Sequence, residues 1–237
     1  GGYGTKKRIS LERGKYEYTP IPPLPAEDKK FLVIGNSISI HGVCSYWFGT
    51  WGMAASRKEY DYVHRVANTL GNGTPIPFDI MNFAGWEVNA HDRAELLPML
   101  DRFSSESYAF VIVQLGENVP VFDIQALRDL EDMLCYLKKI LIGTPKILLL
   151  SSFPAFQRSP QMVDGLDFDE AKRHYAKMYD MIYIDISSLK DENSILGINA
   201  IVFGDDGKQY QLSHPGVAIH PNDYAMNVYA KKILAAL

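Results

Sequence analysis

The chain is poor in cysteine, in net charge and in long apolar runs. Of its 237 residues only Cys44 and Cys135 are cysteines. Two thiols cannot build a disulfide framework or a four-ligand zinc site. They read as buried thiols or as one bridge, and they leave the redox compartment open. Lys plus Arg is 24 against 28 Asp plus Glu, a net charge of −4. The densest basic run, Lys6-Lys7-Arg8, is too short for the concentrated positive patch that phosphate backbones need, so nucleic acid is not an expected partner. No stretch approaches the roughly 20 apolar residues that span a bilayer. No signal peptide opens the chain. Gly1-Gly2 reads as an artificial start, so the expectation is a secreted or periplasmic protein whose leader has been cut away, with the cytoplasm as the alternative. The rest is ordinary globular usage, 47% hydrophobic and 22% charged. Such a chain can bury its core without staples.

Residues 1–30 carry prolines and few aliphatics. Pro20-Ile21-Pro22-Pro23-Leu24-Pro25 cannot be helix, so 1–30 is expected to be an extended arm and 31–237 a single domain. Within the domain, short aliphatic runs alternate with longer amphipathic ones. The expected strands are Phe31–Ile34, Phe78–Met81, Ala109–Leu115, Lys146–Leu150 and Met181–Ile186. Runs such as Phe110-Val111-Ile112-Val113 are apolar on consecutive residues, so both faces must be covered, as in a parallel sheet between helix layers. The spacing of Ile124, Leu127, Leu130, Leu134, Leu137 and Leu141 predicts a helix over 124–141, capped by Asp123 and stopped by Gly143 and Pro145. Weaker patterns place helices at 58–70, 91–103, 167–180 and 222–236. Asn199–Phe203 and Lys208–Leu212 flank a four-residue turn and predict a hairpin. Alternating strands and helices make a doubly wound α/β class.

In an open parallel sheet, ligands bind at the carboxyl ends of the strands. After the first expected strand comes Gly35-Asn36-Ser37, after the second Asn82-Phe83-Ala84-Gly85-Trp86, and after the third Gly116-Glu117-Asn118. Just before the last helix sits His220-Pro221-Asn222-Asp223. These residue types suit acyl transfer. Ser37 is the candidate nucleophile and His220 the base it needs. The candidate oxyanion donors are the backbone N–H groups of Ser37 and Gly85 and the side-chain amide of Asn118.

In this order and spacing, the four blocks resemble the SGNH (GDSL) hydrolases, whose name lists these residue types. The likeness runs from about residue 31 to the end. Ile34-Gly35-Asn36-Ser37-Ile38 is similar to the Gly-Asp-Ser element with Asn for Asp. Gly116-Glu117-Asn118 is similar to Gly-x-Asn-Asp, with Val119 in place of the final Asp. The resemblance implies a three-layer α/β/α sandwich, flavodoxin-like, with a five-stranded parallel sheet of order 2-1-3-4-5. The tract from Trp51 through His64 is similar to that of a bacterial subgroup associated with carbohydrate-linked operons.

One position departs from the pattern. The family's triad acid stands three residues before the His, and here that residue is Val217. Three readings stay open. A backbone carbonyl can hold the imidazole, giving a Ser–His dyad; another carboxylate can substitute, with Glu117, Asp205, Asp206 and Asp223 the candidates; or activity has been lost. Each motif residue also has a structural reading, with Ser37 as a helix cap, Gly85 as a turn residue of positive φ, Asn118 as a loop bridge and His220 as a helix start. Trp47, Trp51, Trp86 and His214 are candidates for substrate contact, and the aromatics after Ser37 serve equally well as a seal over the long first connection. His41 and Cys44 have too few partners for zinc. Asp164, Asp167 and Asp169 lack calcium-loop spacing.

The expected function is hydrolysis of a carboxylic ester through an acyl-serine intermediate, without metal or organic cofactor. The resemblance implies a small acyl group, acetyl, on a carbohydrate, so the partner is a small-molecule or glycan ester. The alternative is a non-catalytic carbohydrate-binding module on the same scaffold. The oligomeric state is not legible.

Overall fold

The computed structural model describes residues 7–12, 15–20, 29–156 and 161–237. Within the region expected as an arm, β1 (Lys7–Glu12) pairs antiparallel with β2 (Lys15–Pro20). The proline run from residue 21 lies outside the described residues.

The main sheet holds β3 (Phe31–Gly35), β4 (Phe78–Asn82), β5 (Phe110–Gln114), β6 (Lys146–Leu150) and β7 (Ile182–Ile184). All neighbouring pairs are parallel. Their order, β4-β3-β5-β6-β7, is the expected 2-1-3-4-5. Side chains alternate between the faces, as strand geometry requires. Phe31, Val33, Phe110, Ile112, Leu148 and Leu150 enter one core with residues of α1 (Tyr62–Leu70) and α7 (Asp223–Ala236). Leu32, Ile34, Val111, Val113, Ile147 and Leu149 enter the other. That second core is completed by α4 (Ile124–Ile140) and α5 (Phe168–Met178), with a short stretch containing α2 (Ala84–Val88) and α3 (Arg93–Leu96).

The helix boundaries have local causes. Asp123 caps α4 by accepting from the Ala126 N–H at 2.8 Å. Asp167 and Glu170 form a reciprocal capping box on α5. The helix expected over 58–70 is divided at Asp61, whose carboxylate accepts from the His64 N–H and starts α1. The helix expected over 91–103 ends at Leu96 and continues as a tighter 3-10 turn, Leu97–Phe103. Pro98 explains this, because its ring removes a donor and crowds the carbonyl one turn back. Ile124, placed in the apolar stripe by spacing, is exposed at the first turn of α4. The last strand is shorter than the expected Met181–Ile186. The hairpin is present as β8 (Ile201–Phe203) and β9 (Gln209–Gln211), paired antiparallel. The short helices α2 and α6 (Pro215–Ala218) have no counterpart in the sequence pattern, and both carry site residues.

Candidate active site

Strand register gathers the first three motifs. Gly35 at the end of β3 lies between Asn82 of β4 and Gln114 of β5. Ser37, Gly85 and Asn118 follow a few residues beyond these neighbouring ends. Asn36 shapes the turn after β3. Its side-chain oxygen accepts from the Ile38 N–H at 3.1 Å and its carbonyl from the Ser39 N–H at 2.9 Å. No helix follows Ser37 directly, so the capping reading of that residue does not hold. Its hydroxyl instead lies 2.7 Å from Nε2 of His220.

His220 is fixed from several sides. Nδ1 is 2.6 Å from the carbonyl oxygen of Gly216. The His220 N–H donates to the Val217 carbonyl and its own carbonyl accepts from the Leu196 N–H, both at 3.0 Å. The Phe156 ring meets the imidazole edge-on, with centroids 4.8 Å apart. A carbonyl only accepts, so Nδ1 carries the proton and the Nε2 lone pair faces the serine hydroxyl. Burial depresses the imidazole pKa to about 4; the Gly216 carbonyl opposes that shift, and His41 and His214 add to it. The ring is therefore neutral, and able to accept a proton, at every pH well above that value.

The carboxylates weighed for the Val217 position are all engaged elsewhere. Glu117 accepts from Asn36 Nδ2, Gln114 Nε2 and the Phe153 N–H. Asp205 accepts from Thr50. Asp206 holds Tyr210 and the Lys208 N–H. Asp223 accepts twice from Ser56. Val217 itself is buried apolar core. Among the described residues the partner of His220 Nδ1 is the Gly216 carbonyl and not a carboxylate.

The three expected donors each keep an N–H without a partner among the described residues. The N–H groups of Ser37 and Gly85 have no partner among the described residues. Gly85 is the second residue of α2, where the helix itself leaves N–H groups unpaired. Gly85 lacks the positive φ that its structural reading requires. A Cβ there would meet nothing nearer than Asn89 Nδ2 at 3.8 Å, so packing does not demand a glycine. The Asn118 amide gives one hydrogen to Glu87 Oε1 at 2.9 Å and keeps a second.

Glu87 carries no sequence signal, yet it is central. It is fully buried. Its Oε2 accepts from the Gly116 N–H at 2.7 Å, Asn36 Nδ2 at 3.1 Å and the Asn118 N–H at 3.2 Å. Asn36 Nδ2 thus serves both Glu87 and Glu117. An Asp at 36 would place a third carboxylate here and donate to neither.

The tryptophan expectations need correction. Trp47 is 0%, Trp51 4% and Trp86 1% exposed. Trp47 and Trp51 pack edge to face in one core, and Trp86 stacks on Phe83 in the other. Rings of that size contribute most when fully covered, and these seal the connections rather than face a ligand. His214 does stay exposed. Its ring stacks on Tyr46, and its Nδ1 accepts from the Gly216 N–H at 3.0 Å, capping the helix whose carbonyl holds His220.

A cavity of about 590 Å³ includes Asn118 and Phe156, the ring that meets His220, in its wall. Its lining also includes Ile219 (the neighbour of His220), Phe122, Phe168 and Asp167. Among the described residues no three His, Cys, Asp or Glu side chains gather closely enough to hold a metal ion. No described helix is long and apolar enough to cross a membrane.

No protein-family model and no curated protein sequence matches the chain. Solved structures do. TesA superposes with a TM-score of 0.52 at 17% identity, over 88% of this chain and 98% of that one. The esterase EstA from Pseudoalteromonas sp. gives 0.51 at 12%, over 88% and 96%. A two-domain esterase active on acetylated mannans gives 0.50 at 16%, over 89% of this chain and 49% of that one. The chain has the SGNH hydrolase fold. The ends of β3, β4 and β5 carry the first three of the expected blocks, and the turn between α6 and α7 carries the fourth.

Proposed function

We propose that this protein is a serine esterase working through a Ser37–His220 dyad. The observation that carries the proposal is the 2.7 Å contact between Ser37 Oγ and His220 Nε2, with the proton of the ring held on Nδ1 by Gly216. Ser37 attacks the ester carbonyl carbon while His220 Nε2 takes the hydroxyl proton. The charge that develops on the carbonyl oxygen is met by the N–H groups of Ser37 and Gly85 and the free amide hydrogen of Asn118. His220 passes its proton to the leaving alcohol. Water, activated by the same nitrogen, then releases the acid. The Gly216 carbonyl fixes the tautomer as a triad acid would, but supplies a dipole rather than a full charge to the imidazolium.

The substrate we assign is an acetyl ester of a carbohydrate. The cavity supports this, because its lining combines Phe rings for sugar C–H groups with the Asp167 carboxylate as an acceptor and the Gln161 NH₂, whose partner oxygen is taken by the Phe122 N–H, as a donor for hydroxyls. The mannan-active esterase on the same fold supports it as well. A carbohydrate-binding module would have no use for a hydroxyl aligned on an imidazole lone pair. Acetate release distinguishes these readings. Acetylated manno- and xylo-oligosaccharides should yield acetate with the wild type and none with Ser37→Ala. Release confined to long-chain lipid esters would refute the carbohydrate assignment. No release from any ester by folded wild type would refute the esterase.

A further inference from the structure

The three oxyanion donors sit on three separate elements, and one buried carboxylate ties these together. We infer that Glu87 is the positioning residue of the oxyanion hole, acting on the reaction through Asn118. This rests on the esterase reading above. Glu87 stands on α2, two residues after Gly85. Its Oε2 holds Asn36, which precedes Ser37, and the N–H groups of Gly116 and Asn118. Its Oε1 takes one hydrogen of the Asn118 amide and so turns the other outward. The main chain beneath it is pinned too, as Arg93 donates to the Glu87 carbonyl at 2.7 Å and to the Trp86 carbonyl at 2.9 Å.

The two carboxylate oxygens are unequal. Oε2 accepts three bonds and Oε1 one, so a proton taken up by Glu87 goes to Oε1. There it faces the Asn118 amide, donor against donor, and the amide must turn. Burial, and secondly the Glu117 carboxylate, push the Glu87 pKa up to about 7, while the bonds from Asn118 and Gly116 hold it down. Of the charged groups on neighbouring elements, Arg93 pairs with Asp129, and Lys172, which packs against Gly116, pairs with Asp169. Acidification through about pH 7 therefore loosens the hole while His220 is still neutral, since its own value lies near 4.

The test is steady-state kinetics on p-nitrophenyl acetate with wild type, Glu87→Gln, Asn118→Ala and the double variant. Gln keeps the shape but presents an NH₂ where an acceptor is needed. Its kcat should fall about 10–100-fold with KM little changed, the cost of a misplaced catalytic group. The double variant should be no slower than Asn118→Ala alone, because both remove one function. The wild-type rate should drop in two steps on acidification, near 7 and near 4, and Glu87→Gln should keep only the second. A wild-type kcat in Glu87→Gln, or losses that multiply in full in the double variant, would overturn the inference. If Glu87→Gln does not fold, the wild-type profile decides: absence of the step near 7 overturns it. An inactive wild type would instead fail the esterase reading and take this inference with it.

Discussion

Replacing His220 by alanine is expected to lower kcat by about 10⁶-fold, with Ser37→Ala equally slow and the double variant no slower than either. The magnitude follows from the geometry. Ser37 Oγ has one base, at 2.7 Å, and no carboxylate stands behind that base to act in its place. An unassisted serine hydroxyl is a weak nucleophile, so once the imidazole is gone the hydroxyl adds nothing. Any residual rate comes from the oxyanion donors and substrate binding. Asp205→Ala and Asp206→Ala should leave kcat unchanged, because both carboxylates serve the Thr50 and Tyr210 contacts around the hairpin. A loss of several orders of magnitude in either would mean that a carboxylate moves onto the imidazole during turnover, and the dyad would be wrong. Turnover by His220→Ala close to wild type would remove His220 from the mechanism. The rates are read on a single activated acetyl ester.

Asn118→Ala is expected to cost about 10²–10³ in kcat, as for loss of one oxyanion donor. KM should change little, because a neutral carbonyl oxygen gains less from the amide than the oxyanion does. Asn118→Asp is a sharper probe than alanine. It keeps the shape but loses both N–H hydrogens, and it sets a carboxylate against both Glu87 and the developing charge. It should be at least as slow as alanine. Equal kcat in wild type and Asn118→Ala would place the oxyanion elsewhere, and the role assigned to Glu87 would fall with it.

The layers of this fold are legible in residue types. Phe110–Val113 is apolar on consecutive positions because helices cover both faces, and the leucine spacing of α4 marks the side turned to the sheet. The candidate site was legible where residues of the expected types follow strand ends, as at Ser37, Gly85 and Asn118. The candidate base was legible as His220, but its support was not. The acceptor on Nδ1 is a main-chain carbonyl, which any residue at 216 would provide, so no side chain announces it. Glu87 escaped for a related reason. A glutamate on a short helix reads as solvated surface, and only the folded register shows four N–H donors converging on it. Trp47 and Trp51 erred the other way. Aromatics near a nucleophile suggest a platform, yet the long connection from β3 to α1 needs large rings to cover one face of the sheet.

The most direct measurement is intact-mass and peptide-mapped labelling of the folded protein with a fluorophosphonate, a group that reports a serine activated beside a base. EstA, on the same fold, is known in a form inhibited by monoethylphosphonate. A single adduct per chain is expected, on Ser37, lost in Ser37→Ala and strongly slowed in His220→Ala. Folded wild-type protein that stays unlabelled, or an adduct on another residue, would contradict it.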